Sequence, residues 1–220
     1  PLFGRALLEM GTDSEDFVTL TQRISRKTGG IAPHPFTSTI KSAPQSAAWL
    51  FLRGKAMLHQ TEALIEILRD VILTVRLDNQ ERFRQMAMEE KARVEQKLIP
   101  AGHQMVNLRL RSHFGEAYWA AEQMNGVSYL FFLRQLVEAI ENEWSEVLAA
   151  LKEIHRILLN RNAMILNVTL DEKNRPNVEQ QINQFLSELP EGPVLDATWG
   201  FQPPQPFEGI TIPSHVNYVG

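Results

Sequence analysis

The chain has 220 residues, 44% of them hydrophobic and 22% charged, with a formal net charge of −4. This composition is typical of a globular protein, and the length suffices for one α/β domain with additional segments. The acidic balance argues against a nucleic-acid surface, because phosphate binding requires an excess of Lys and Arg. No apolar run reaches the roughly 18 residues of a membrane span. We therefore expect neither nucleic acid nor membrane as a partner, and the absence of cysteine excludes disulfides and cysteine-ligated metal.

Two helices and then two strands are predicted in the first quarter of the chain. Residues 2–10 have the pattern of a short apolar helix, and Thr12 with Glu15 forms a T-x-x-E capping box for a second helix. Strands are predicted over residues 31–40 and 47–56. Because the second strand is apolar on both faces, it is expected inside a sheet rather than at its edge.

Six further helices are predicted in the middle of the chain, from apolar residues that recur at helical spacing. Asp78 is the expected cap of the second of these helices, and its charged face over 89–97 is interpreted as solvated. Two shorter helices are expected over 104–114 and 116–124, and Ser128 is the expected cap of the next one.

The last quarter of the chain is predicted to contain a strand, a helix, a linker and a final strand. Residues 163–170 alternate in polarity like a strand, and Pro176 stands where a last helix would begin. Five prolines and three glycines occur in 190–209, a composition typical of an extended linker. The strand predicted over 210–220 would then belong to a neighbouring unit.

A search for catalytic motifs finds no complete set of residues. The six histidines are scattered, and no two have the i, i+4 spacing that places two imidazoles on one helical face. The segment His113-Phe-Gly-Glu116-Ala117 has the first His and the Glu of H-x-x-E-H, but alanine replaces the second ligand. A catalytic zinc needs three protein ligands, so we interpret this match as chance. Serine-hydrolase and phosphate-loop motifs are also absent, and no catalytic or metal-binding residue is predicted.

Five runs, in order along the chain, resemble one known family. They are PLFGRALLEMGT at 1–12, RKTGGI at 26–31, LRGKAM at 52–57, EQMNGVSYL at 122–130 and IPSHVNYVG at 212–220. Together they resemble the presequence protease-like zinc metallopeptidases of the pitrilysin/insulinase family, which degrade targeting peptides and other short unstructured peptides.

The resemblance implies a parent enzyme of four related α/β domains, arranged as two halves that close around a peptide. In such enzymes the first domain carries the zinc-binding H-x-x-E-H, and the fourth contributes an Arg and a Tyr. This chain would supply the non-catalytic third domain (1–189), a linker (190–209) and the first strand of the fourth domain (210–220). The parent would hold the zinc, and this segment would hold none.

The implied fold class is α/β (α+β), with helices on one face of a mixed, mostly antiparallel sheet. The domain would lack its opening strands at the N-terminus. Apolar helix faces would then be left partly uncovered, so the isolated chain is expected to self-associate.

One short segment is a candidate for contact with substrate. By analogy with the catalytic copy of the domain, the segment before the first strand would lie along the peptide cleft, where a strand edge could bind an extended peptide. These candidate substrate-facing residues are Thr28, Gly29, Gly30 and Ile31.

The resemblance also implies partners and a location. The implied partners are the peptide substrate and the other domains of the same polypeptide. The location would be cytoplasmic in a bacterium and a mitochondrial or plastid matrix in a eukaryote. Two other readings stay open: a non-enzymatic scaffold built on a degenerate copy of the fold, and an enzyme with chemistry of its own.

Overall fold

The computed structural model describes residues 1–43, 45–194, 199–212 and 215–220. This part of the chain is rich in helix and contains one small antiparallel sheet of two strands. The mixed α+β class is therefore confirmed. The sheet is smaller than the one the sequence predicted.

The six helices predicted in the middle of the chain are all present, as α3 to α8. The helices are α1 Leu2–Glu9, α2 Phe17–Lys27, α3 Thr61–Leu73, α4 Gln80–Leu98, α5 Gly102–Arg111, α6 Glu116–Asn125, α7 Val127–Asn142, α8 Trp144–Leu158 and α9 Arg175–Glu188. The strands are β1 Ile31–Thr39 and β2 Ser46–Gly54. None of these helices is both long enough and apolar enough to cross a membrane.

The start of α2 differs from the prediction. The Thr12 hydroxyl accepts a hydrogen bond from the Glu15 N–H at 3.2 Å, but this closes a turn before the helix. The cap of α2 is Asp16, whose carboxylate accepts from the Thr19 N–H at 2.7 Å. The capping box was thus wrong as the helix start, because a better acceptor stands directly before Phe17.

Two further predicted caps were wrong. Asn79 rather than Asp78 caps α4, since its side chain accepts from the Arg82 N–H at 3.0 Å. Helix α7 begins after Gly126, so Ser128 lies inside its first turn. Ser128 instead donates its N–H to the Glu122 carboxylate at 3.0 Å.

The two strands form a hairpin whose inner face is covered by α1 and α6. The register runs from Ile31 opposite Gly54 to Thr39 opposite Ser46. A Cβ added at Gly4 of α1 would lie 2.7 Å from the Pro33 Cβ, so the glycine is what allows this helix to approach the sheet closely. Within the described chain β2 has β1 as its one neighbour, so the prediction that β2 lies inside a sheet was wrong for this segment.

Two apolar clusters lie under and beside the hairpin. The larger joins α1, α4, α7 and α8 around residues with almost no exposed surface, namely Ala6, Phe83, Met86, Leu133 and Ile140. The smaller joins α1, α2 and α3 through Leu8, Leu20, Ile67 and Val71. Because both clusters include residues of α1, this helix connects the two parts of the core.

Two predicted strands are absent. Residues 164–170 have no regular structure, and the Ile165 side chain is 74% exposed. Residues 210–212 and 215–220 also form no strand, while 213 and 214 lie outside the described residues. Both segments have a strand-like sequence, but a strand also requires a hydrogen-bonded partner, and neither segment pairs with a described strand.

Candidate functional site

The candidate segment 28–31 forms the turn that connects α2 to β1. Thr28 ends the helix, its hydroxyl donating to the Ile24 carbonyl at 2.7 Å and accepting from the Gly30 N–H at 3.0 Å. Gly29 donates its N–H to the Lys55 carbonyl at 2.7 Å, which fixes the turn against the end of β2. Gly30 has φ of +106°, a conformation that favours glycine.

The structure brings the four candidate residues together, but with unequal access. Gly29 and Gly30 already use their N–H groups within the turn. The Ile31 side chain packs against the smaller apolar cluster, which leaves its main chain as the group available beside the strand. Since Ile31 stands opposite Gly54 in a pair that is not hydrogen-bonded, its N–H points away from β2.

The edge of β1 that faces away from β2 is poor in hydrogen-bond donors. Residues 31, 33, 35, 37 and 39 direct their main-chain groups towards this edge, as shown by the Gly30–Lys55 hydrogen bond that fixes the alternation. Pro33 and Pro35 occupy two of these positions and have no N–H. An extended peptide laid along β1 would find donors only at Ile31, Thr37 and Thr39. The sequence analysis did not use these prolines, although their spacing of two placed both on one edge.

The outer face of the hairpin is aromatic and partly exposed. Phe36 and Phe51 are 44% and 37% exposed, and their rings lie 6.1 Å apart at an angle of 56°. The Arg53 guanidinium lies 5.4 Å from the centre of the Phe51 ring. This face therefore offers apolar contact with one cation beside it, on the side of the sheet opposite the helices.

A polar cavity of about 610 Å³ lies between β1 and helices α1 and α4. Glu90, in its wall, is 1% exposed, and its carboxylate accepts from Arg93 Nε at 3.0 Å and from Arg5 and Tyr129 at 3.3 Å. Burial by itself would raise the pKa of Glu90, but Arg93 and Arg5 hold that pKa below its usual value. The interpretation of 89–97 as a solvated face was wrong at this residue, since Glu90 is part of the interior.

The zinc-peptidase half-motif at 113–117 is not a metal site. Ala117 is 3% exposed and carries no donor atom, and its carbonyl accepts from the Thr37 hydroxyl at 3.0 Å. In the part of the chain that the structure describes, no group of three or more His, Asp or Glu side chains could hold a metal ion. The residues present thus do not fit a catalytic zinc, which needs three protein ligands and an open position.

A second buried carboxylate connects the helices to the segment that follows α9. Glu122 is fully buried and contacts the Arg109 guanidinium at 3.2 Å. Arg109 also donates to both carboxylate oxygens of Glu208, at 2.6 and 2.7 Å. The Phe201 ring packs edge-on against Trp119 at 6.2 Å. Residues 201 and 208 are therefore fixed on α5 and α6, a contact for which the sequence carried no recognisable signal.

Comparison with known proteins identifies the family. The family model that matches residues 1–136, more than half of the chain, describes the region associated with peptidases of family M16, subgroup C. The chain belongs to this peptidase-associated family.

Several curated relatives are proteases. The chain is 39% identical, over its whole length, to "Presequence protease 1, chloroplastic/mitochondrial" of Arabidopsis thaliana. It is 24% identical to "Presequence protease, mitochondrial" of Saccharomyces cerevisiae over 89% of the chain, and 23% identical to "Protein HypA" of Clostridium perfringens over 95%. The matched regions make up 20%, 20% and 21% of these three proteins, so the chain spans about a fifth of their length.

Proposed function

We propose that this chain is a non-catalytic segment of a larger zinc metalloendopeptidase that degrades short unstructured or targeting peptides. The observation that carries the proposal is the 39% identity to a presequence protease along the entire chain. The fold class agrees with the third α/β domain implied by the sequence resemblance, and residues 1–189, 190–209 and 210–220 are proposed as that domain, a linker and the start of the next domain.

The zinc and its ligands would come from other parts of the parent polypeptide. Support comes from the donor sets in this chain, in which the half-motif at His113 and Glu116 ends in a buried alanine. The location would be a mitochondrial or plastid matrix for a eukaryotic parent, as the names of the Arabidopsis and yeast relatives indicate for those proteins. For a bacterial parent it would be the cytoplasm.

Within the parent, the hairpin would form part of the wall that encloses the peptide. Residues 28–31 and the outer face with Phe36 and Phe51 would face the peptide, because α1 and α6 cover the opposite face. Contact would be made mainly by side chains, since Pro33 and Pro35 remove two main-chain donors from the outer edge. Closure of the parent's two halves would then exclude water and assemble a site from distant segments.

The purified chain provides the first test. With added zinc and a fluorogenic peptide we expect no turnover above buffer, while the parent protein should cleave the same peptide and lose that activity with a chelator. Chelator-sensitive cleavage by the isolated chain would show that it is an enzyme in its own right.

The alternative, a non-enzymatic scaffold, is separated by the sequence of the parent. An H-x-x-E-H motif upstream of residue 1 supports the peptidase, since that motif supplies two zinc ligands and the general base. A parent without such a motif supports the scaffold.

A further inference from the structure

The two edges of the hairpin differ in their ability to accept another strand. The Gly30 carbonyl accepts the Lys55 N–H at 3.3 Å, and the Ile40 N–H donates to the Gln45 carbonyl at 3.3 Å. Both pairs obey the register of the ladder, so the even-numbered residues of β1 and the odd-numbered residues of β2 bond to each other. The remaining residues of each strand direct their main-chain groups outwards.

On β2 every outward position can donate. The N–H groups of Ala48, Leu50 and Leu52 point away from β1, and none has an acceptor in the part of the chain that the structure describes. On β1 the corresponding edge is interrupted by Pro33 and Pro35. Prolines are one of the means by which proteins protect a sheet edge from pairing with other strands. The hairpin thus has one protected edge and one open edge.

We infer that the open edge of β2 pairs with a strand from the parent polypeptide that lies outside these 220 residues. An unprotected edge next to half-buried leucines is costly to leave exposed. About four fifths of each compared relative lies outside the matched region, so the parent has ample chain to supply the strand. The inference rests on the proposal that this chain is a segment of a longer protein. A peptide substrate or a second copy of the chain would be the other possible occupants.

Amide hydrogen exchange at single-residue resolution tests the pairing. In the parent protein, the amides of Ala48, Leu50 and Leu52 should exchange at least about 100-fold more slowly than in the isolated chain. The Ala47 amide bonds to β1, so it should be protected in both proteins and serves as the internal control. Equal exchange of the Ala48 amide in the two proteins would overturn the inference.

Two adjacent alanines give a matched pair of variants. Ala48→Pro removes an outward N–H, so the isolated chain should melt within a few degrees of the unchanged chain, while the parent should lose stability. Ala47→Pro removes a bond to β1 and should destabilise both proteins. A parent that tolerates Ala48→Pro without loss would contradict the proposed pairing.

The other occupants give different results. Protection of Ala48 that appears only with added peptide, or only in a dimer of the isolated chain, overturns the inference in favour of that occupant. A parent that cleaves peptide but leaves these amides unprotected sinks this inference alone. Protected amides in an inactive parent sink only the peptidase assignment.

Discussion

The Arg109 guanidinium lies 3.2 Å from the carboxylate of Glu122, a residue with no exposed surface. A buried carboxylate is tolerated only when a countercharge and hydrogen-bond donors accompany it. Glu122 has both, since the Ser128 N–H also donates to it at 3.0 Å. Arg109 in turn binds Glu208, so one cation both neutralises the interior acid and fixes the segment after α9.

Arg109→Leu should therefore destabilise the chain more than Glu208→Gln. Removal of the arginine leaves Glu122 buried without its countercharge, at a cost of about 2–4 kcal/mol in the free energy of unfolding. Glu208 lies nearer the surface, and its replacement should cost less than about 1 kcal/mol. Urea denaturation followed by circular dichroism measures both changes.

The double variant Arg109→Leu/Glu122→Gln is the control for this mechanism. Replacement of the acid by a neutral amide removes the uncompensated charge, so part of the loss should be recovered. If Glu208→Gln alone costs as much as Arg109→Leu, the surface ion pair rather than the interior acid dominates.

Glu90 predicts a dependence of stability on pH. Its pKa in the folded chain lies below the value of about 4.5 expected when unfolded, because Arg93 and Arg5 favour the charged form. The resulting stabilisation is fully present above that unfolded value and is lost as the pH falls through the folded pKa. Glu90→Gln should cost about 1–3 kcal/mol at pH 7, and the difference from the unchanged chain should shrink below pH of about 4.

Thermal unfolding of both proteins between neutral and acidic pH measures this effect. Glu138→Gln, at an exposed position of α7, serves as the control and should leave the pH profile unchanged. A Glu90→Gln protein whose stability deficit is constant across the range would contradict a role for the carboxylate charge.

The burial of Glu90 could have been recognised from the sequence. Phe83, Ala87, Glu90 and Val94 follow one another at spacings of four, three and four, which places all four on one face of α4. The apolar members of this stripe were recognised, whereas the charge of Glu90 led to its assignment to the solvated face. Spacing was the better guide here, because charged partners from α1 and from the next turn of α4 accompany the acid into the interior.

Helices were predictable from local pattern, but two of the strands were not. An α-helix forms its hydrogen bonds within a single segment, so the apolar stripe and the cap residues suffice to locate α3 to α9 within a few residues. A strand depends on a partner elsewhere in the chain. The predictions at 31–40 and 47–56 were confirmed because those segments pair with each other. The prediction at 163–170 had an equally regular alternation, but no described strand pairs with that segment.

Gly30→Ala should destabilise the turn before β1. The residue has φ of +106° and nothing within 4 Å of an added Cβ, so the cost comes from backbone strain rather than from a clash. We expect a loss of about 1–2 kcal/mol. Gly30→Asn should lose less, since asparagine adopts positive φ more readily than alanine. Equal stability of Gly30→Ala and the unchanged chain in urea denaturation would show that the turn readily changes its conformation.

The aromatic outer face of the hairpin should control the self-association expected of the isolated chain. Phe36 and Phe51 present neighbouring partly exposed rings on a face that no described helix covers. The double variant Phe36→Ser/Phe51→Ser should weaken self-association about tenfold, which corresponds to the loss of roughly one buried aromatic contact. Sedimentation velocity over a range of concentrations measures the change. The matched control is Phe132→Ser, which removes a ring that is 50% exposed on α7. If the control weakens association as strongly as the double variant, or if the unchanged chain is monomeric throughout, the hairpin face is not the contact.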